Sequence, residues 1–177
     1  MQEELNILIQ AQYPLIYLVT SEEERAEQTI ATIAQAKPLR RVYLWTVTHG
    51  IVEYGQPRNV TQHNTVSPEA AIEWVMRQKE PGIFVFKDLH PFIDSPAVNR
   101  WLRDAVASFK GTQKTILLMS PVQTVPIELE KEVAVIDFAM PSMGELNQVL
   151  TQQLDQNKTR RITTETREKL LKAALGL

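Results

Sequence analysis

Apolar residues in this chain fall into two kinds of run. Leu15-Ile16-Tyr17-Leu18-Val19, Ile83-Phe84-Val85-Phe86 and Ile116-Leu117-Leu118-Met119 are short blocks with no polar interruption. Such blocks predict strands buried on both faces. Between them, apolar positions recur at helical spacing, as in Ala26, Ile30, Ile33 and Ala34, and again in Ala71, Ile72, Val75 and Met76. Arg41 to Val47, β-branched and aromatic, predicts a second strand, and Val133 to Phe138 predicts the fifth.

Polar punctuation supplies the helix boundaries. Ser21 and Glu24 have capping-box spacing, as do Ser142 and Glu145, while Ser67-Pro68 and Ser95-Pro96 place a proline just after an N-cap. Thr163 or Thr164 caps a last helix. A short amphipathic helix, Leu5 to Ile9, leads in and ends near Tyr13-Pro14, and Ile127 to Lys131 reads as a helical turn. Alternating strands and helices predict a five-stranded parallel sheet flanked by helices. Thr48 to Val66 is the least regular stretch, with Ile51 to Tyr54 a candidate strand in a protruding hairpin. The two terminal helices, linked by polar residues Asp155 to Arg161, suit a small lid. The apolar ending, Ala173 to Leu177, reads as a cut through a longer protein.

Composition narrows the function classes. At 44% hydrophobic, 23% charged and a formal charge of −2, the 177 residues have an ordinary globular balance. That balance gives no reason to expect nucleic acid or an acidic membrane surface. The absence of cysteine excludes disulfides and thiolate chemistry. The acidic start, Met1-Gln2-Glu3-Glu4, lacks the basic region of a signal peptide, so a cytoplasmic location is the default.

A sheet of this kind invites a nucleotide site at the C-terminal ends of its strands. The loop after the first strand should read G-x-x-x-x-G-K-[ST], so that glycine amides can approach phosphates. It reads Thr20-Ser21-Glu22-Glu23-Glu24-Arg25, with three carboxylates that repel a triphosphate. Gly50 and Gly55 have the right mutual spacing but follow the wrong strand, and Lys114-Thr115 lacks glycines. The stretch Ile83 to Phe86 then delivers Lys87 and Asp88 where an ATPase sets its magnesium-binding acids. A lysine there has the wrong charge for Mg²⁺. Lys87 and Asp88 therefore read as solvated or paired at a strand end, and Lys87→Ala is expected to leave stability nearly intact.

His90 could orient a proton relay with Asp88, which is the rival, hydrolytic reading of this edge. Ser120, at the end of the fourth strand, stands where such folds place a polar sensor residue. Catalytic residues are not expected. Thr20, Ser21, Lys87, Asp88 and Ser120 count as vestigial nucleotide-site positions. His49 and His63 lie beyond local metal-ligand spacing from each other and from His90, so no metal is expected. Arg40-Arg41 and Arg160-Arg161 read as solvated or salt-bridged pairs, and Trp45, Trp74 and Trp101 as core. Asn59-Val60-Thr61 and Asn157-Lys158-Thr159 match a glycosylation sequon that carries little meaning without a secretory signal.

Taken in order, these segments resemble the core of an AAA-type ATPase, with its P-loop-NTPase-like sheet. Val135-Ile136-Asp137-Phe138-Ala139-Met140-Pro141-Ser142 is similar to the fifth strand and the proline turn entering that family's helical lid. More narrowly, Glu3 to Ile16 and Phe86-Lys87-Asp88-Leu89-His90 resemble the N-terminal region of the plastid- and cyanobacterial-type AAA ATPases named after a hypothetical chloroplast reading frame. The resemblance implies a degenerate AAA-like core over 1–140 and the start of a lid over 141–177, both parts of a longer ATPase. It implies ATP and Mg²⁺ only in a companion AAA module. Its partners would be that module, neighbouring subunits or a client protein, in the cytoplasm or plastid stroma. This segment would itself be non-catalytic.

Overall fold

The computed structural model describes residues 2–57, 61–62, 64–140, 143–156 and 162–174. In chain order the elements are α1 (Gln2–Gln10), β1 (Leu15–Val19), α2 (Glu23–Ala34), β2 (Arg41–Thr46), β3 (Gly50–Glu53), α3 (Pro68–Arg77), β4 (Gly82–Lys87), α4 (Pro96–Phe109), β5 (Lys114–Ser120), β6 (Ala134–Asp137), α5 (Met143–Gln156) and α6 (Thr164–Ala174). The strands form one sheet in the order β3-β2-β4-β5-β1-β6, parallel except for β2 with β3. The expectation of five parallel strands is thus corrected to six, the sixth being Ile51 and its neighbours folded back as a hairpin. Gly50 turns that hairpin at φ +68, and a Cβ there would lie 2.6 Å from Thr65 Oγ1.

The central strands are continuous apolar runs because alternate residues feed two cores. Tyr17, Phe84, Phe86, Ile116 and Leu118 pack under α3 and α4 with Ile72, Leu102 and Phe109. Ile16, Leu18, Ile83, Val85 and Leu117 pack under α1 and α2 with Leu5, Ile9, Ile30 and Ile33. The register brings the ends of β1, β4 and β5 together, pairing Val19 with Ser120 and Lys87 with Met119. That edge carries Thr20, Ser21, Lys87, Asp88 and Ser120.

Caps follow the sequence in part. Ser67 accepts a bond from the Ala70 amide at 3.2 Å, and Thr163 accepts one from Thr166 at 3.2 Å. The Ser21–Glu24 box does not form. Glu22 is the N-cap of α2 without a side-chain bond, and its own amide donates to Thr20 Oγ1 at 3.0 Å. Ser95 also makes no cap bond. Residues 126–133 make hydrogen-bonded turns and no helix. The Ser142–Glu145 box, both sequons at their asparagines, His63 and Arg160-Arg161 lie outside the described residues or side chains.

Arg40 is not solvated, and among the described residues it makes no salt bridge. Only 5% exposed, it donates to Ile9 O at 3.3 Å and approaches Gln10 Oε1 at 3.5 Å, closing the C-terminal turn of α1. Burial pushes its pKa down. Residues 1–138 and 139–177 form two compact units. Within the second, Arg167 bridges α6 to α5 through Asn147 Oδ1 at 2.6 Å and Thr151.

Candidate functional site

The residues at the strand edge are held by bonds among themselves. The Thr20 amide donates to Ser120 O at 2.9 Å as β1 ends, and Thr20 itself is buried. Ser21 is exposed. The chain then enters α2 with Glu22, Glu23 and Glu24, acids that suit the positive end of the helix dipole. Glu22 is tied to Arg25, whose Nε donates to Oε2 at 2.6 Å, and the Arg25 guanidinium stacks 4.2 Å over Phe138.

Lys87 reaches from the end of β4 to the first two turns of α2. Its Nζ lies 2.7 Å from Glu27 Oε1 and is also bonded to Glu23, with the lysine side chain only 14% exposed and Glu27 only 16%. Burial alone would lower the Lys87 pKa. The hydrogen bonds to Glu23 and Glu27, with their charges, outweigh it and hold the pKa above 10.5. Of the two expectations for Lys87, solvated or paired, the structure shows pairing: it is the hub of a partly buried three-charge cluster, which argues against a neutral Lys87→Ala. Sequence reasoning missed Glu23 and Glu27 as its partners. The available signal was their i,i+4 spacing, which sets two carboxylates on one helix face.

Asp88 follows in the left-handed region, at φ +51, a conformation that aspartate tolerates better than most residues. Its amide donates to Met119 O at 2.9 Å. The turn it makes sends Leu89 into the core and His90 toward β5, where Nδ1 lies 2.8 Å from Ser120 Oγ. Asp88 Oδ1 is 3.9 Å from the same nitrogen. Serine, histidine and aspartate thus meet, but on one ring nitrogen. A relay needs the hydroxyl on one nitrogen and the carboxylate on the other. Ser120 is 3% exposed, and its Oγ also accepts from the Val122 amide at 3.2 Å. The cluster is built as a turn lock.

Tyr17 extends that lock. Its buried hydroxyl donates to Val122 O at 2.6 Å and accepts from the Thr124 amide at 3.3 Å. Tyr17→Phe should cost about 1 kcal/mol in urea unfolding and speed exchange of the Thr124 amide. Unchanged exchange would show the loop is held elsewhere.

The described part of the 48–66 stretch is tied down through Thr65. Thr65 is 1% exposed, its carbonyl accepts Trp45 Nε1 at 2.7 Å, and its hydroxyl accepts the Ile51 amide at 2.9 Å. It therefore covers the outer edge of β3. Among the described residues no group of acids and histidines is placed to hold a metal ion, and no helix is long and apolar enough to cross a membrane.

Comparison with known proteins gives a consistent pattern. The family model for the SpoVK-like AAA ATPase N-terminal domain matches residues 1–138. The AAA domain-containing protein ycf46 of Guillardia theta is 28% identical over 177 residues, which cover 99% of this chain and 34% of that protein. Its namesake in Trieres chinensis is 30% identical over 151 residues, covering 84% of this chain and 30% of that protein. The chain spans about a third of the length of these curated relatives. Among solved structures, a chain of the E. coli MS115-1 HORMA:CdnC:Trip13 complex aligns with a TM-score of 0.63 at 10% identity, covering 97% of this chain and 71% of that one. A DNA replication initiation factor aligns with a TM-score of 0.59 at 12% identity, covering 97% and 53%. At such identities the likeness is one of fold.

Proposed function

The chain belongs to the SpoVK-like AAA ATPase N-terminal domain family, and on that premise we propose that it is a non-catalytic module of a larger AAA-type ATPase, acting by protein–protein contact. Its partners in this reading are the companion ATPase module, neighbouring subunits or a client protein. ATP and Mg²⁺ belong to the companion module alone. The 1–140 segment is the degenerate core, and 141–177 begins a helical lid. The plastid stroma or the cytoplasm is the compartment.

One observation carries the reading. A P-loop enzyme puts its lysine in the loop after β1 and its acids at the end of the neighbouring strands. Here the carboxylates of Glu23 and Glu27 follow β1, the ammonium of Lys87 ends β4, and they bond to each other. The charges are exchanged, and the cluster satisfies itself without ligand.

Phosphate release from ATP and Mg²⁺ tests this. The purified chain should stay at background, and Asp88→Asn should change nothing. The second reading, a hydrolytic site on Asp88 and His90, has in its favour the 2.8 Å contact of His90 with Ser120 at the same edge. It requires turnover that Asp88→Asn abolishes.

A further inference from the structure

The β2–β3 hairpin is sealed on one face and only partly covered on the other. Toward α3 and α4, Trp45 and Ile51 are buried in the core. On the opposite face Leu44 is half-buried, and Val47 and Tyr54 are 46% and 37% exposed. These apolar groups and Val52 line a groove of about 470 Å³ whose other wall is Glu23, Glu27, Lys87 and Asp88. Exposed apolar side chains along a concave surface mark an interaction site more often than a bare face does.

The wall's charge selects the occupant. Three carboxylates, Glu23, Glu27 and Asp88, stand against one ammonium, and that ammonium is already bonded to Glu23 and Glu27. The Glu23 side chain is 40% exposed and the Asp88 side chain 54% exposed. Phosphates and acidic segments are repelled, while a cation on an aliphatic stretch gains on both walls. We propose that this groove docks a segment of a partner protein that presents arginine or lysine between aliphatic residues. The aliphatic groups lie along Leu44, Val47 and Tyr54, and the cation meets Asp88 and Glu23. This rests on the contact-module reading above and names the partner's chemistry.

The test is a titration of the whole chain, followed by backbone amide NMR, with the end-blocked peptide Ala-Leu-Arg-Leu-Arg-Leu-Ala and its glutamate counterpart. The arginine peptide should shift the amides of Thr46 to Gly55 and of Asp88, and the glutamate peptide should not. Asp88→Asn suits the left-handed turn, so it keeps the fold, and should weaken binding on the order of tenfold, the loss of one charge pair. Equal response to both peptides, shifts confined to other surfaces, or no shift at peptide concentrations on the order of 1 mM would overturn the proposal. Concentration-dependent broadening of the same amides without peptide would also overturn it, in favour of a second copy of this chain. A silent peptide with ATP also silent leaves the non-catalytic reading standing, whereas Mg²⁺-dependent ATP binding faults that reading independently.

Discussion

Val85→Asp should leave the 1–138 unit unfolded. Val85 is 1% exposed in β4, between Leu44 of β2 and Leu117 of β5, and packs into the core beneath α1 and α2. Its neighbours in that core are apolar, and the ammonium of Lys87, two residues along the same strand face, is already bonded to Glu23 and Glu27, so the carboxylate would be buried without a free partner. An unpaired buried charge costs several kcal/mol, against a net stability of about 5–15 kcal/mol for a domain. Val85→Ala, which only leaves a cavity, should cost about 2 kcal/mol and still fold. Far-UV circular dichroism and amide dispersion separate the two. A folded Val85→Asp chain would show that β4 is not the central packing element.

Lys87→Ala is the second large effect. Removing the ammonium leaves Glu23 and Glu27 facing each other, with Glu27 nearly buried. Breaking a fully buried pair costs about 3–5 kcal/mol. Because Glu23 is 40% exposed, water screens part of this, and a loss of about 2 kcal/mol is expected. Lys87→Met keeps the packing of the stem and isolates the charge. In that background Glu27→Gln should restore part of the loss, as coupling between neighbours requires.

The pH dependence has a defined sign. The Lys87 pKa is raised in the folded chain above its ordinary 10.5. Its stabilising contribution is therefore complete below 10.5 and fades as pH climbs through the higher folded value. The stability gap between wild type and Lys87→Met, read by urea unfolding, should narrow only above pH 10.5. A gap already closing near neutrality would mean the cluster does not govern it.

The sequence announced the sheet's centre more clearly than its edge. Ile83 to Phe86 and Ile116 to Met119 are legible because a strand buried on both faces has no polar choice to make. The hairpin was legible only as a candidate. β3 is four residues long, and what seals it is Thr65, a residue in a polar stretch. Long-range partners were hidden for a plainer reason. Lys87 meets Glu27 across 60 positions and Ser120 meets His90 across 30, and no local pattern encodes such pairs. Arg40 shows the same limit: as half of a basic doublet it reads as surface, yet it closes α1 from 31 positions away. The loop after β1, by contrast, is a local stretch, and its residues, Thr20-Ser21-Glu22-Glu23-Glu24-Arg25, are read directly from the chain.

The most direct measurement of the central claim is calorimetric titration of the wild-type chain with ATP in the presence of Mg²⁺. An edge closed by its own Glu23–Lys87–Glu27 cluster should give no binding heat beyond dilution, with or without the metal. Tight binding that requires Mg²⁺ would contradict the account and return the strand edge to the status of a working nucleotide site.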